Sequence, residues 1–229
     1  DFTSVEHYYN NEFQDSELVG LGIGFDYALK TGRYEKAVQT IVESMISSAT
    51  LEGYYSLKAL GYYFMGREEE SISLLESSDL LFNNHMFYLR ETAKLYYYLG
   101  EYDRSKIQLS KLMEVYTDRP PIITWLNAIH AEINGDNSMA ESFIDVLGSM
   151  YINEQSGSPA WFIALYYCHL KNYDKAFDWL EKSYDRHEVE MTWLKEEPLL
   201  RPLRTDPRYI DLYDKVGFSK IAPITPFVE

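Results

Sequence analysis

ALKTGRYEKAV (28–38) reads as the end of one helix, a tight turn, and the start of another. The same sentence is written four more times: YYFMGREEESI (62–72), YYYLGEYDRSK (96–106), AEINGDNSMAE (131–141) and YCHLKNYDKAF (167–177). Aligned on Gly32, Gly66, Gly100, Gly135 and Lys171, the copies are spaced by 34, 34, 35 and 36 residues. Self-similarity at such a period marks a stacked-repeat architecture, in which each unit buries its neighbour's apolar side.

Each recurring position has a physical job. Glycine at the anchor ends the first helix by taking a left-handed backbone cheaply. Lys171 breaks this rule, and neighbouring Asn172 is expected to serve in the same turn. Five residues after each anchor stands a small side chain: Ala37, Ser71, Ser105, Ala140, Ala176. Seven before it come Phe25, Ala59, Ala93, Ala128 and Ala164. Small residues at both places let paired helix axes approach closely. Ile41, Leu75, Leu109, Ile144 and Leu180, nine after the anchor, are expected to point inward. Tyr34, Tyr102 and Tyr173 are expected to wedge beside their turns, while Glu68 and Asn137 stand at that place in the second and fourth copies.

This pattern resembles the tetratricopeptide repeat, over roughly residues 18–187. The resemblance implies an all-α, right-handed superhelical solenoid of about five helical hairpins with a C-terminal capping helix. Expected organisation is a linker or remnant of an earlier repeat (1–14), repeats at about 15–48, 51–80, 85–116, 120–152 and 158–187, a capping segment (188–218) and a tail (219–229). The stretch 172–218, with AFDWLEKSY, WLKEEP and PLRTDPRY, looks like the end of repeat arrays in bacterial signalling proteins. Those arrays follow nucleotide cyclase, TolB-like, winged-helix or Ser/Thr kinase domains. Within the cap, Asp206 suits an N-cap, Pro207 the first helical position and Gly217 the stop, with Ile210, Tyr213 and Val216 expected on one buried face. Pro198 and Pro202 keep the preceding segment non-helical or kinked.

Composition narrows the function. A formal net charge of −15 repels phosphate backbones and anionic lipid, so nucleic acid is not an expected direct partner, and with no apolar run approaching the roughly 18 residues that span a bilayer, no membrane insertion is expected. Sixteen per cent of residues are aromatic, including 21 Tyr, which suits many half-buried seams. Cys168 is the single cysteine, so no internal disulfide is expected. The chain opens DFTSVEHYYNNEF without a methionine or signal core, and reads as a fragment or processed form.

Chemistry is sparse. Gly20, Gly22 and Gly24 in GLGIG have the flavour of a dinucleotide loop, but acidic EFQDSE precedes them where a buried strand is required. Repeat phase puts all three inside the first helix instead. His7, His85, His130, His169 and His187 form no HxxxH or HExxH pair, so no metal and no cofactor is expected. Cys168 and His169 are adjacent, and helical neighbours diverge by about 100°. No catalytic residue is assigned, and the expected reading is a non-catalytic scaffold.

The resemblance implies a concave groove lined by the first helix of each pair. By repeat phase its positions are Tyr63, Arg90, Lys94, Tyr97, Tyr98, Trp125, Trp161 and His169, with protein or peptide as partner. The family's carboxylate clamp for chaperone tails is not recognisable in phase. An alternative is an architectural array that spaces its host or pairs as a homodimer, and a third reading is a nucleotide or small-molecule sensor on the glycine stretch. Cytoplasm is the favoured compartment, with periplasm if the upstream region spans a membrane.

Overall fold

The computed structural model describes residues 19–47 and 52–222. The expected linker (1–14) and the end of the tail (223–229) lie outside the described residues. Eleven α-helices and three short 3₁₀ turns account for the described secondary structure, with no strand among the described residues. The helices are α1 (Val19–Lys30), α2 (Tyr34–Ser47), α3 (Glu52–Phe64), α4 (Glu68–Asp79), α5 (Met86–Tyr98), α6 (Tyr102–Val115), α7 (Pro121–Ile133), α8 (Asn137–Ile152), α9 (Pro159–His169), α10 (Tyr173–Asp185) and α11 (Pro207–Val216). They pack as consecutive antiparallel pairs, α1/α2 through α9/α10. The chain divides between Thr117 and Asp118 into two compact units, the first holding α1–α6 and the second α7–α11.

One bend explains why the pairs form. Gly32, Gly66, Gly100 and Gly135 have φ of 83°, 72°, 75° and 77°, and Lys171 has 56°. The amide after each bend donates back to a carbonyl five residues earlier. These bonds are Arg33 to Ala28 (2.8 Å) and, at 2.9 Å each, Arg67 to Tyr62, Glu101 to Tyr96, Asp136 to Ala131 and Asn172 to Tyr167. This Schellman closure satisfies carbonyls that a helix end leaves open. Lys171 itself carries the left-handed geometry. Asn172 has φ −89° and instead caps α10, accepting from the Lys175 amide at 3.3 Å.

Helix pairs close on the small residues. Ala37, Ser71, Ser105, Ala140 and Ala176 are fully buried, as are Ala59, Ala93, Ala128 and Ala164, while Phe25 is nearly so. Where the later residue is serine, its hydroxyl bonds the earlier helix: Ser71 Oγ to the Ala59 carbonyl at 2.8 Å and Ser105 Oγ to Ala93 at 2.7 Å. Successive pairs also approach tightly in the first unit. A Cβ on Gly61 of α3 would sit 2.4 Å from Val38 Cγ2 of α2.

Three expected inward positions are not buried. Ile41, Leu75, Leu109 and Leu180 are buried, but Ile144 is only half-buried and Leu147 is fully buried one turn later. In α11 the buried face is Tyr209, Leu212 and Tyr213, whereas Ile210 is 42% exposed and Val216 half-buried. A step of three drifts around a helix, while 209, 212 and 213 follow its true pitch. The tyrosine hydroxyls fix that register, Tyr209 donating to the Leu194 carbonyl (2.7 Å) and Tyr213 to Ala222 (2.6 Å). Asp206 caps the helix by accepting from the Arg208 amide, and Gly217 ends it at φ 95°.

The link into the cap is electrostatic. Glu188 follows α10 and reaches the N-terminus of α9, accepting from the Ala160 and Trp161 amides (3.1 and 2.8 Å) and from Ser183 Oγ (2.8 Å). A carboxylate on unsatisfied amides at a positive helix end is a favourable pairing. Val189–Trp193 and Pro198–Leu203 are 3₁₀ turns, the second opened by Pro198 and holding Pro202, in place of a regular α-helix. Among the described residues, no helix is long and apolar enough to cross a membrane.

Candidate interaction site

Helix α5 sets the site because it has two different faces. Tyr88, Leu89, Thr92, Ala93, Leu95, Tyr96 and Tyr97 are buried, and His85 caps the helix by accepting from the Tyr88 amide. Phe87, Arg90, Lys94 and Tyr98 recur at helical spacing on the other side and are half-buried. Long cationic side chains in that position lay their stems along rings and keep their heads in water. Lys94 Nζ lies 5.3 Å from the centre of the Tyr98 ring, and the Arg90 guanidinium 5.1 Å from that of Phe87. Arg90 also pairs with Glu91 at 2.7 Å.

Helix α3 extends the same chemistry. Its Tyr62 ring receives Arg67 at 4.4 Å and Lys58 at 5.7 Å. Tyr63 stacks on Tyr98 across the two helices, with ring centres 6.0 Å apart and 15° between planes. Tyr97 meets Tyr98 at 5.6 Å. The first unit thus brings Tyr63, Lys94, Tyr97 and Tyr98 into one aromatic–cationic cluster, with Arg90 one turn away on the same row. Tyr63 and Tyr97 are 7% and 5% exposed, so they form its floor and not its contact surface.

The two tryptophans behave differently. Trp125 and Trp161 are wholly buried, so their expected groove role gives way to a core one. Trp125 packs its ring 5.6 Å from that of Phe162. Eight of thirteen residues of α7 and nine of eleven of α9 are buried, leaving these helices little polar face. His169 is half-buried, and burial pulls its pKa below the usual histidine value, against the opposing charge of Glu132. Tyr166 donates to Glu132 at 3.0 Å.

Other singled-out groups settle into structural surroundings. Gly20, Gly22 and Gly24 lie within α1, as repeat phase requires. Cys168 is 5% exposed, and burial, reinforced by the Glu197 charge, pushes its thiol pKa well up. Among the described residues no group of three or more His, Cys, Asp or Glu side chains is placed to hold a metal. Lys58, Tyr62 and Arg67 went unmarked in the sequence. Their signal is a cation four residues before, or five after, a tyrosine on a first helix.

The arrangement presents flat rings edged by cations whose charge is partly met by π-faces. Such a surface is suited to carboxylates, backbone carbonyls and other rings. No protein-family model matches this chain, and no curated protein matches it either.

Proposed function

We propose that this chain is a tetratricopeptide-like superhelical scaffold whose first unit binds a protein or peptide on the α3/α5 face. Arg90, Lys94 and Tyr98 make the contacts, with Tyr63 and Tyr97 supporting them. The carrying observation is the half-buried row on α5, in which two cations stand between two rings at helical spacing. Tyrosine and arginine are the residue types in which interface energy concentrates. The resemblance of residues 172–218 to arrays in bacterial signalling proteins makes the scaffold a sensory or assembly segment of such a protein, without catalysis of its own.

Selection of a displayed peptide library on the intact chain tests the reading. Enriched peptides should bind the wild-type chain and lose at least tenfold in affinity, about 1.4 kcal/mol, toward Arg90→Ala/Lys94→Ala/Tyr98→Ala. Enriched peptides that bind this folded variant undiminished would place the interaction elsewhere.

A further inference from the structure

Carboxylates outnumber lysines and arginines in this chain by 36 to 21, so a lysine without an ion pair requires an account. Several of the acids find donors. Asp79 accepts from the Tyr88 and Tyr96 hydroxyls, each at 2.7 Å. On α10, Asp174 pairs with Arg208 of α11 at 2.8 Å and Glu181 with Lys215 at 3.6 Å.

A different row runs beside those acids. Lys175, Trp179, Lys182 and Arg186 follow one another at steps of four, three and four, the spacing of a single helix face. Each cation lies over a ring. Lys175 Nζ is 5.0 Å from the centre of Tyr167 on α9, Lys182 Nζ 3.8 Å from that of Trp179, and the Arg186 guanidinium 4.0 Å from that of Tyr151 on α8. Tyr151 and Trp179 meet edge to face at 5.4 Å. All three rings are half-buried. Among the described residues Lys175 and Lys182 have no ion-pair partner, and Arg186 pairs with the 85%-exposed Glu154 at 3.9 Å. Asp178 stands three residues after Lys175 and four before Lys182, within reach of a helical ion pair, yet both ammonium groups lie on rings. Asp185 is exposed on the neighbouring row, and Glu188 is committed to the start of α9.

We infer that this row is a second interaction surface, in the second unit, for an extended acidic peptide segment. A lysine has three donors, so an ammonium resting on a ring keeps donors for a carboxylate. The rings also hold the cations in place, which lowers the ordering cost of binding. From Lys175 to Arg186 the row measures about 16 Å at the helical rise, a length that about five extended residues cover. Trp179, of the residue type most enriched at interface hot spots, stands within it. Single-stranded nucleic acid fits less well, because it needs bare rings for base stacking and Lys182 already lies over Trp179.

The test is an NMR titration of the intact chain with hexaglutamate, acetylated and amidated so that only its side chains carry charge, and with hexaglutamine blocked in the same way. Hexaglutamate should shift the Trp179 indole N–H and Arg186 Nε–H signals saturably, with hexaglutamine weaker by about tenfold or more. Lys175→Glu/Lys182→Glu, which leaves the buried face of α10 untouched, should weaken the hexaglutamate response by about tenfold or more. Arg90→Glu/Lys94→Glu should leave it unchanged, which separates this surface from the α3/α5 face. No saturable shift with hexaglutamate, an equal shift with hexaglutamine, a response surviving Lys175→Glu/Lys182→Glu, or one lost in Arg90→Glu/Lys94→Glu overturns the assignment. Tighter binding of hexathymidylate at the same signals also overturns it, and makes the row a nucleic-acid contact instead.

Discussion

Ser105 donates its hydroxyl to the Ala93 carbonyl at 2.7 Å, tying the second helix of a pair to the first at their closest crossing. Ser71 and Ala59 repeat the contact 34 residues earlier at 2.8 Å. Serine there is small enough for the crossing and also satisfied within it. Ser105→Ala should therefore cost only the net hydrogen bond, about 0.5–1.5 kcal/mol. Ser105→Leu should cost more, about 1–3 kcal/mol, because the axes must separate. Urea denaturation of both variants checks the order, and equal costs would mean that the crossing is not tight.

The bends permit a paired test of backbone strain. A Cβ on Gly100 would meet nothing within 4 Å, so Gly100→Ala reports conformation alone. It should destabilise by up to about 1.5 kcal/mol, the cost of a left-handed L-residue less the entropy that glycine loses on folding. Lys171 already bears that cost at φ 56°. Lys171→Gly relieves it, less the roughly 0.5–1 kcal/mol of extra glycine entropy, and should stabilise slightly. Opposite signs for two bends of one geometry are the expected result, read from denaturation midpoints.

Glu188 holds three donors at once. Replacing it with alanine leaves the Ala160 and Trp161 amides without their acceptor at a buried helix start. The second unit should lose about 1.5–3 kcal/mol, the range for hydrogen bonds to a charged group. Glu188→Gln keeps the shape with a weaker acceptor and should fall between the wild type and alanine.

His169 gives a pH signature. Its folded pKa is lowered, first by burial, so the unfolded chain binds a proton that the folded chain refuses. The associated stability is complete above the unfolded value of about 6.5 and is lost as pH falls through the folded value. Between about pH 7.5 and about pH 5.5, the wild type should lose more stability than His169→Gln. Equal losses would show that His169 titrates alike folded and unfolded.

Much of this architecture was legible in the sequence because the anchors obey a backbone rule and not a packing one. A glycine every 34 or 35 residues, with alanine or serine at fixed offsets, states where the chain must bend and where helices must touch. Lys171 was legible as the fifth bend by phase, although it carries the strain itself and leaves Asn172 to cap α10. The site was less legible. Phase places Trp125 and Trp161 on first helices, but cannot say how much of each helix is covered. PAWFIALYYC (159–168) holds the missing hint, since a helix with no polar stripe is buried nearly all round. Ile144 and Ile210 failed for another reason: neighbouring Leu147 and Tyr209 offered equally apolar registers, and pattern alone does not rank them. The Asp79–Tyr88–Tyr96 cluster joins residues 9 and 17 positions apart and has no spacing signature.

Backbone chemical shifts of the intact chain measure the repeat most directly. They should give positive φ at Gly32, Gly66, Gly100, Gly135 and Lys171, each between two helical stretches. A strand among residues 52–222, or negative φ at any of these five bends, would contradict it.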